Sequence, residues 1–462
     1  MTTASPSPVY LDHAATTPLR PAARAAWLTA ADQVGNPSSL HQPGRAARRL
    51  VEEAREQVAL ALGAEPAEVV FTAGGTEADN LAVIGTAWGR RSEDPARRRV
   101  LVSPIEHPAV LESADHLGQS GFEVVELAVG RDGRVDLERA DRLLAFDPAS
   151  LALVTCQAVN QETGAIQPVA ELAALARRHG VPLHCDAVQA IGHGALAAGA
   201  SPAPLLDQSD APASLTASPA GPPSAVVAWT ADLAALTVSG HKVGGPVGVG
   251  ALLARRDLKL KPVLFGGGQE RRVRSGTLPA ALIAAFAVAL TEQMATQAEQ
   301  SRRLAQLAAR LGRRLTDLGA VLVGPSDPAQ RVCHIVNALF PGCEHDALLL
   351  SLDAAGLACS TGSACTAGVA QASPVLSALG YDPAQARSGL RFSLGWTTGP
   401  SDLDALDRAL PEALARARAA GQRDWPSADA PRRPTTPATA SPGWPAPPST
   451  AAASPDPTGG RP

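Results

Sequence analysis

Lysine is nearly missing from this chain. Of its 462 residues three are lysine, Lys242, Lys259 and Lys261, so 37 of the 40 basic side chains are arginine. A marked charge excess is missing too: the formal net charge is -4, which gives no electrostatic reason to expect nucleic acid or an acidic membrane as partner. No CxxC pair occurs, and six cysteines spread over positions 156, 185, 333, 343, 359 and 365 do not make a disulfide framework. A reducing, cytoplasmic setting is the expectation. The N-terminus, MTTASPSPVYLDH, lacks a positive n-region and an apolar h-region, and the longest apolar stretch, around residues 280–290, reads as too short to span a bilayer. The ligand to expect is a small molecule met in solution.

What is present suggests two domains with ample material for a large core. Strand and helix patterns alternate through the first half: EVVF, RVLV, FEVVELAV, LALVT and VPLHC read as strands, with helical spacing from about Ala46 to Leu62 and over VAELAALARRHG. That alternation argues for an α/β fold with a mostly parallel sheet wrapped by helices, in which ligands gather at the carboxyl ends of strands. A second set of elements, AVLVG, HIVNALF, a helix from about His345, LACSTGSACTAG and GLRFSLG, predicts a smaller α+β domain. The expected division is an N-terminal segment 1–16 joining the small domain, a large domain 17–300, a small domain 301–420, and a disordered Pro- and Ala-rich tail 421–462. Residues 199–224 turn to Ala, Pro, Ser and Asp without periodicity and read as a flexible insertion.

The chemistry centres on SGHKVGGPVG, a strand, a glycine loop and a second strand, with Lys242 at the apex. An amine used for Schiff-base chemistry needs such a desolvated position to be neutral near pH 7. FTAGGTEADN is a strand feeding a Gly-Gly-Thr turn into a helix N-terminus, whose free N–H groups and positive dipole end suit a phosphate. His107, Asn160, Asp186 and Gln189 each follow a predicted strand and can share one crevice with Lys242. A pyridoxal phosphate enzyme needs a lysine, an acid against the pyridine nitrogen, phosphate donors and a group over the ring. Lys242, Asp186, then Gly75, Thr76, Ser239 and His241, then His107 are the candidates for these parts.

Through YLDHAATTP, GNPSSLH, GGTEADNLA, EHPAV, VNQETGAIQP, HCDAVQ, SGHKVGGPVG, RSGTLP, STGSACT and LRFSLG, in that order from about Tyr10 to Asp404, the chain resembles the cysteine desulfurases. These are fold-type I pyridoxal phosphate enzymes of the class V aminotransferase superfamily. The resemblance implies that Lys242 carries the cofactor, Asp186 binds the pyridine nitrogen, Gln189 the ring hydroxyl, and His107 stacks on the ring. It implies phosphate contacts from Thr76, Ser239 and His241, with Thr277 reaching in from the partner subunit of a homodimer, and a substrate-carboxylate site at Asn160 and Arg391. Cys365 of STGSACT would take the sulfur of L-cysteine as a persulfide, leaving alanine, and pass it to an acceptor protein of iron-sulfur assembly or tRNA thiolation. Cys359, after the apolar Leu357 and Ala358, reads as a buried and inert thiol. Two rivals stand beside this. One is another class V activity, an aminotransferase or selenocysteine lyase; the other is a metal or redox module on Cys333, Cys343, His345 and Cys359, whose spacing fits no zinc pattern. No metal is expected.

Overall fold

The structure is a computed structural model and describes residues 8–193, 232–361 and 372–421. All of these belong to the first of the two units into which the chain divides, Met1–Arg423 and Asp424–Pro462. The expected insertion, the tail and Cys365 therefore lie outside the described residues.

The strands are β1 (Val9–Tyr10), β2 (Val69–Thr72), β3 (Arg99–Val102), β4 (Glu123–Glu126), β5 (Leu151–Thr155), β6 (Leu183–Asp186), β7 (Ala235–Ser239), β8 (Gly250–Ala254), β9 (Val321–Leu322), β10 (Ile335–Leu339), β11 (Leu357–Ala358) and β12 (Gly389–Ser393). The helices are α1 (Pro21–Ala31), α2 (Gln42–Leu62), α3 (Gly75–Glu93), α4 (Pro108–Gln119), α5 (Leu137–Phe146), α6 (Val169–Arg178), α7 (Ala280–Asp317), α8 (His345–Ala354), α9 (Pro374–Ala378), α10 (Pro383–Arg387) and α11 (Pro400–Gly421). A seven-stranded sheet has the order β2-β8-β7-β6-β5-β3-β4. Pairing is parallel from β7 through β4, and β8 alone runs antiparallel to both its neighbours. Valine and leucine fill β2, β3, β5 and β8 because both faces of the sheet are covered, which is why these strands read as continuous apolar runs rather than alternating ones.

On one face α3 lays Ala78, Leu81 and Ala82 against Val70, Ala235, Leu252 and Ala254. Further along the same stripe, Gly85 and Gly89 take the segment of Lys259 and Lys261, whose Leu258 and Leu260 pack on this cluster, so closely that a Cβ on Gly89 would lie 1.7 Å from the Lys259 carbonyl. Two of the three lysines are thereby placed along the second half of α3, whose opposite end, at Gly75, is the one that faces Ser239. The main core lies on the sheet's other face with α1, α2, α6 and the first half of α7. A second core gathers Leu11, Leu304 to Leu315 of α7, Phe340, Leu348, Phe392 and the apolar side of α11.

Several expectations needed adjustment. The apolar run around residues 280–290 is the start of a 38-residue helix that is long and apolar enough by length and composition to cross a membrane; here its Ile283, Ala285, Phe286 and Leu290 are buried in the main core. That helix also runs straight through residue 300 and serves both cores. α3 begins at Gly75, within the Gly-Gly-Thr stretch read as a turn, and α5 went unread because its ten residues bury only Ala140 and Leu144.

Candidate active site

The carboxyl ends of β6 and β7 deliver the two residues around which the site is built. β6 ends on Asp186, whose carboxylate accepts the Val188 amide at 2.9 Å. β7 ends on Ser239 and turns at once into a single helical turn, Gly240–Lys242, that lifts Lys242 over the strand end. Its Nζ donates to the carbonyls of Ala14 at 2.5 Å and Ala15 at 2.9 Å. Burial and the nearby Arg391 guanidinium lower the ammonium to about 8, while Asp186 and Asp12 pull the other way. Burial raises the Asp186 carboxyl, with His107 and Lys242 opposing the rise. A depressed lysine and a buried acid, each within electrostatic reach of the other, are what Schiff-base chemistry with an aromatic aldehyde requires.

The phosphate cup is equally legible from the backbone. Gly74, with φ at 154°, swings the chain from β2 into the 19-residue helix α3, and no side chain caps that N-terminus. Gly75 faces Ser239 and Val188: a Cβ there would sit 3.0 Å from Val188 Cγ2 and 3.5 Å from Ser239 Cβ. The Ser239 hydroxyl is buried and has no hydrogen-bond partner. An orphaned hydroxyl beside free helix N–H groups is a costly arrangement unless an anion completes it. These residues fit a phosphate. Thr76 opens the first turn of α3, and His241, held by a 3.2 Å contact between Nδ1 and Thr16 Oγ1, has its pKa lowered to about 4 by burial and by Lys242.

His107 caps α4, its Nδ1 accepting the Ala109 amide at 3.1 Å, so the neutral ring carries its proton on Nε2. Burial lowers its pKa, so the neutral form is favoured; Asp186 opposes that shift and Lys242 adds to it. Gln189 donates from Nε2 to the Ala14 carbonyl at 2.8 Å, the same oxygen that Lys242 uses. The N-terminal stretch is therefore part of the site, a role its sequence did not announce. Tyr10 Oη closes it by bonding the Asp12 and Thr16 carbonyls, at 3.0 and 2.9 Å. Together with His13, His193, Gln293 and Trp396, Lys242 and Gln189 line a narrow cleft.

Arg391, on β12, pairs with Asp12 at 2.8 Å and donates to the Gln161 carbonyl at 2.9 Å, while its buried Nε has no partner. Asn160 is fully buried and largely committed: Oδ1 accepts from the Glu162 amide, the Thr163 amide and the Thr163 hydroxyl, and Nδ2 donates to the Ile105 carbonyl at 3.0 Å. One amide N–H is left to meet a substrate carboxylate. Thr277 is exposed, at the end of a loop in which Glu270, Arg271 and Arg272 adopt left-handed backbone (φ 35°, 57° and 65°). Glu270 holds that strained loop to Arg55 at 2.7 Å and to the Phe71 amide, and Arg274 ties it to Glu77 on α3 at 2.7 Å. Cys359, expected to be buried after an apolar run, follows β11 and is partly exposed; burial of the thiol still pushes its pKa up to about 12.

Sequence reasoning passed over a polar strip beneath Asp186. His184, two residues back on the same face of β6, spans the Thr155 and Thr237 hydroxyls at 2.9 and 3.0 Å, with Asp79 of α3 3.6 Å from its Nε2. Period-two alternation in HCD was the available signal.

A mostly parallel sheet that sets a lysine, a buried acid and a glycine turn feeding an uncapped helix N-terminus at its carboxyl edge defines a fold-type I pyridoxal phosphate enzyme. The family described as aminotransferase class-V matches residues 9–199 and 222–406, breaking within the stretch read as an insertion. An IscS-like cysteine desulfurase of Mycobacterium tuberculosis is 46% identical over 413 residues, covering 89% of this chain and 97% of that protein. A putative cysteine desulfurase, IscS 1, of Bacillus subtilis is 38% identical, covering 84% and 93%. The solved structure of a NifS-like protein from Rickettsia africae superposes with a TM-score of 0.73 at 27% identity over 88% of this chain and 99% of that one. The chain belongs to the class V aminotransferase family and, within it, to the cysteine desulfurases, which are pyridoxal phosphate-dependent.

Proposed function

We propose that this cysteine desulfurase carries its cofactor on Lys242 and its transferred sulfur on Cys365. The observation that carries the first half is the site's polarity: Lys242 with its pKa lowered to about 8, Asp186 buried opposite, and the orphaned Ser239 hydroxyl beside the α3 N-terminus. Bound there, pyridoxal phosphate supplies an electron sink for the substrate's α carbon. The protein does the rest. Asp186 holds the pyridine nitrogen and Gln189 the ring hydroxyl, while His107 covers the ring. Gly75, Thr76, Ser239 and His241 hold the phosphate. The substrate carboxylate takes the remaining Asn160 N–H and competes with Asp12 for Arg391. Released by substrate, the Lys242 amine takes the α proton at Nζ and later returns one.

The Cys365 thiolate forms a bond to the substrate sulfur as the Cβ–S bond breaks, and the electron pair left on carbon takes up a proton. One L-cysteine and one Cys365 thiol thus give one L-alanine and one persulfide, with no outside oxidant. The STGSACT sequence supports a persulfide handed on to a protein of iron-sulfur assembly or tRNA thiolation. We further assign the chain to a cytoplasmic homodimer in which Thr277, exposed at the end of its braced loop, completes the partner's phosphate site. The test is alanine release from L-cysteine with and without candidate acceptor proteins. Alanine that accumulates only to one equivalent per chain, and catalytically once an acceptor is added, is the expected result; transamination products without a sulfur requirement would overturn the assignment.

A further inference from the structure

The turn Asn160–Gly164 does more than present Asn160. Gly164, at φ +72°, closes it, and its backbone N–H returns to the Asn160 carbonyl at 2.9 Å. Asn337 of β10 donates to the Glu162 carbonyl at 3.1 Å, and Arg391 to the Gln161 carbonyl at 2.9 Å. The Glu162 side chain, 2% exposed, points the other way and accepts the hydroxyl of Ser373 at 2.6 Å. Ser373, also 2% exposed, in turn accepts the Leu376 amide at 3.1 Å and so caps α9. Ser373 is the second residue after the stretch 362–371 that contains Cys365. The residue before that stretch but one, Ser360, exchanges both backbone hydrogen bonds with Arg391, at 2.7 and 3.1 Å. Both sides of the Cys365 stretch therefore end on one hub: Ser360 on Arg391, Ser373 on Glu162, and Arg391 on the Gln161 carbonyl next door.

We propose that Glu162 is a positioning residue for sulfur transfer, fixing through Ser373 where the Cys365 stretch rejoins the fold, relative to the turn that carries Asn160. This rests on Cys365 being the sulfur carrier. In this reading the Glu162 carboxyl acts through Ser373 rather than by contact with the reacting atoms. Burial raises its pKa to about 7 against the opposing pulls of Ser373 and Arg391, a cost that a structural glutamine would not incur. A carboxylate accepts the Ser373 hydroxyl in a charge-assisted bond, stronger than an amide would make.

The experiment uses the cofactor-loaded enzyme and reads two quantities in one rapid-quench series with L-cysteine: the rate of persulfide formation on Cys365, by mass spectrometry, and the substrate-induced change in cofactor absorbance, which reports binding. Glu162→Ala is expected to slow persulfide formation roughly tenfold, the loss of one charge-assisted hydrogen bond, while the substrate concentration for half-maximal absorbance change stays within about twofold. Glu162→Gln, which keeps an acceptor, should recover most of the rate. Ser373→Ala should match Glu162→Ala, and the double variant should be no slower than the slower single, because both remove the same bond. Should Glu162→Ala fold poorly, Ser373→Ala alone carries the comparison. Equal losses in binding and in persulfide formation, or additive losses in the double variant, would overturn the proposal. Wild-type enzyme without persulfide on Cys365 would instead refute the carrier assignment beneath it.

Discussion

Replacing Glu162 by glutamine should change how stability depends on pH, by an amount the structure fixes. In the fold the Glu162 carboxyl titrates near 7 against an ordinary 4.5, chiefly because it is buried. The folded chain therefore keeps a proton that the unfolded chain releases, and stability falls as pH rises from 4.5 toward 7, then levels off. At 1.36 kcal/mol per pH unit the full effect is about 3 kcal/mol, of which about 2.5 kcal/mol lies between pH 5 and pH 8. Glutamine does not titrate and keeps an acceptor for Ser373, so the variant lacks this loss. Urea unfolding of both cofactor-loaded proteins at pH 5 and pH 8 isolates it, since every other group titrates alike in the two. The wild type should lose about 2 to 3 kcal/mol relative to Glu162→Gln between these pH values. A difference that is the same at both would mean that Glu162 is ionised throughout, and the burial argument would be wrong.

Ser239→Ala removes a buried hydroxyl that has no hydrogen-bond partner among the described residues; it should weaken pyridoxal phosphate binding about tenfold, by titration of the apoenzyme, and leave apoenzyme stability unchanged or slightly higher. A drop in apoenzyme stability instead would place the hydroxyl's role in folding. Lys242→Ala should give a folded protein without the visible absorption of lysine-bound cofactor, because the backbone of Lys259 and Lys261 lies against Gly89 and Gly85 in the second half of α3, while the first turn of α3 faces Ser239; survival of that band would unseat Lys242. Joining residues 198 and 225 by a short turn should leave soluble yield and turnover near wild type, since the family match is interrupted at 200–221 and loop closure depends only weakly on length. Loss of cofactor in that variant would show that the segment packs on the site.

Much of the site was readable in the chain because its parts are local. Strand, glycine turn and helix N-terminus are written consecutively in FTAGGTEADN, and the Lys242 loop lies between two apolar runs that became β7 and β8. What escaped was long-range. Ala14 and Ala15 bind Lys242 through carbonyls, which no side-chain pattern can signal, across 228 and 227 positions. Glu162 finds Ser373 across 211 positions, and the Asp12–Arg391 pair joins residues 379 apart. Asn160, read as following a strand, lies in the loop beyond β5, and its side chain mostly builds the turn it stands on, because a short amide beside successive N–H groups satisfies them locally. Cys359 follows the strand Leu357–Ala358 as read, but it is only partly buried where full burial was expected.

The most direct measurement is the location of the extra sulfur after cofactor-loaded enzyme meets L-cysteine without reductant. Mass spectrometry of the peptides should find a mass gain of one sulfur on Cys365 and none on Cys359, whose thiol is held protonated by a pKa near 12. Cys365→Ala should still show the substrate-induced absorbance change and form no persulfide, and Cys359→Ala should form it at the wild-type rate. Persulfide on Cys359 with Cys365 bare would contradict the assignment of the sulfur carrier.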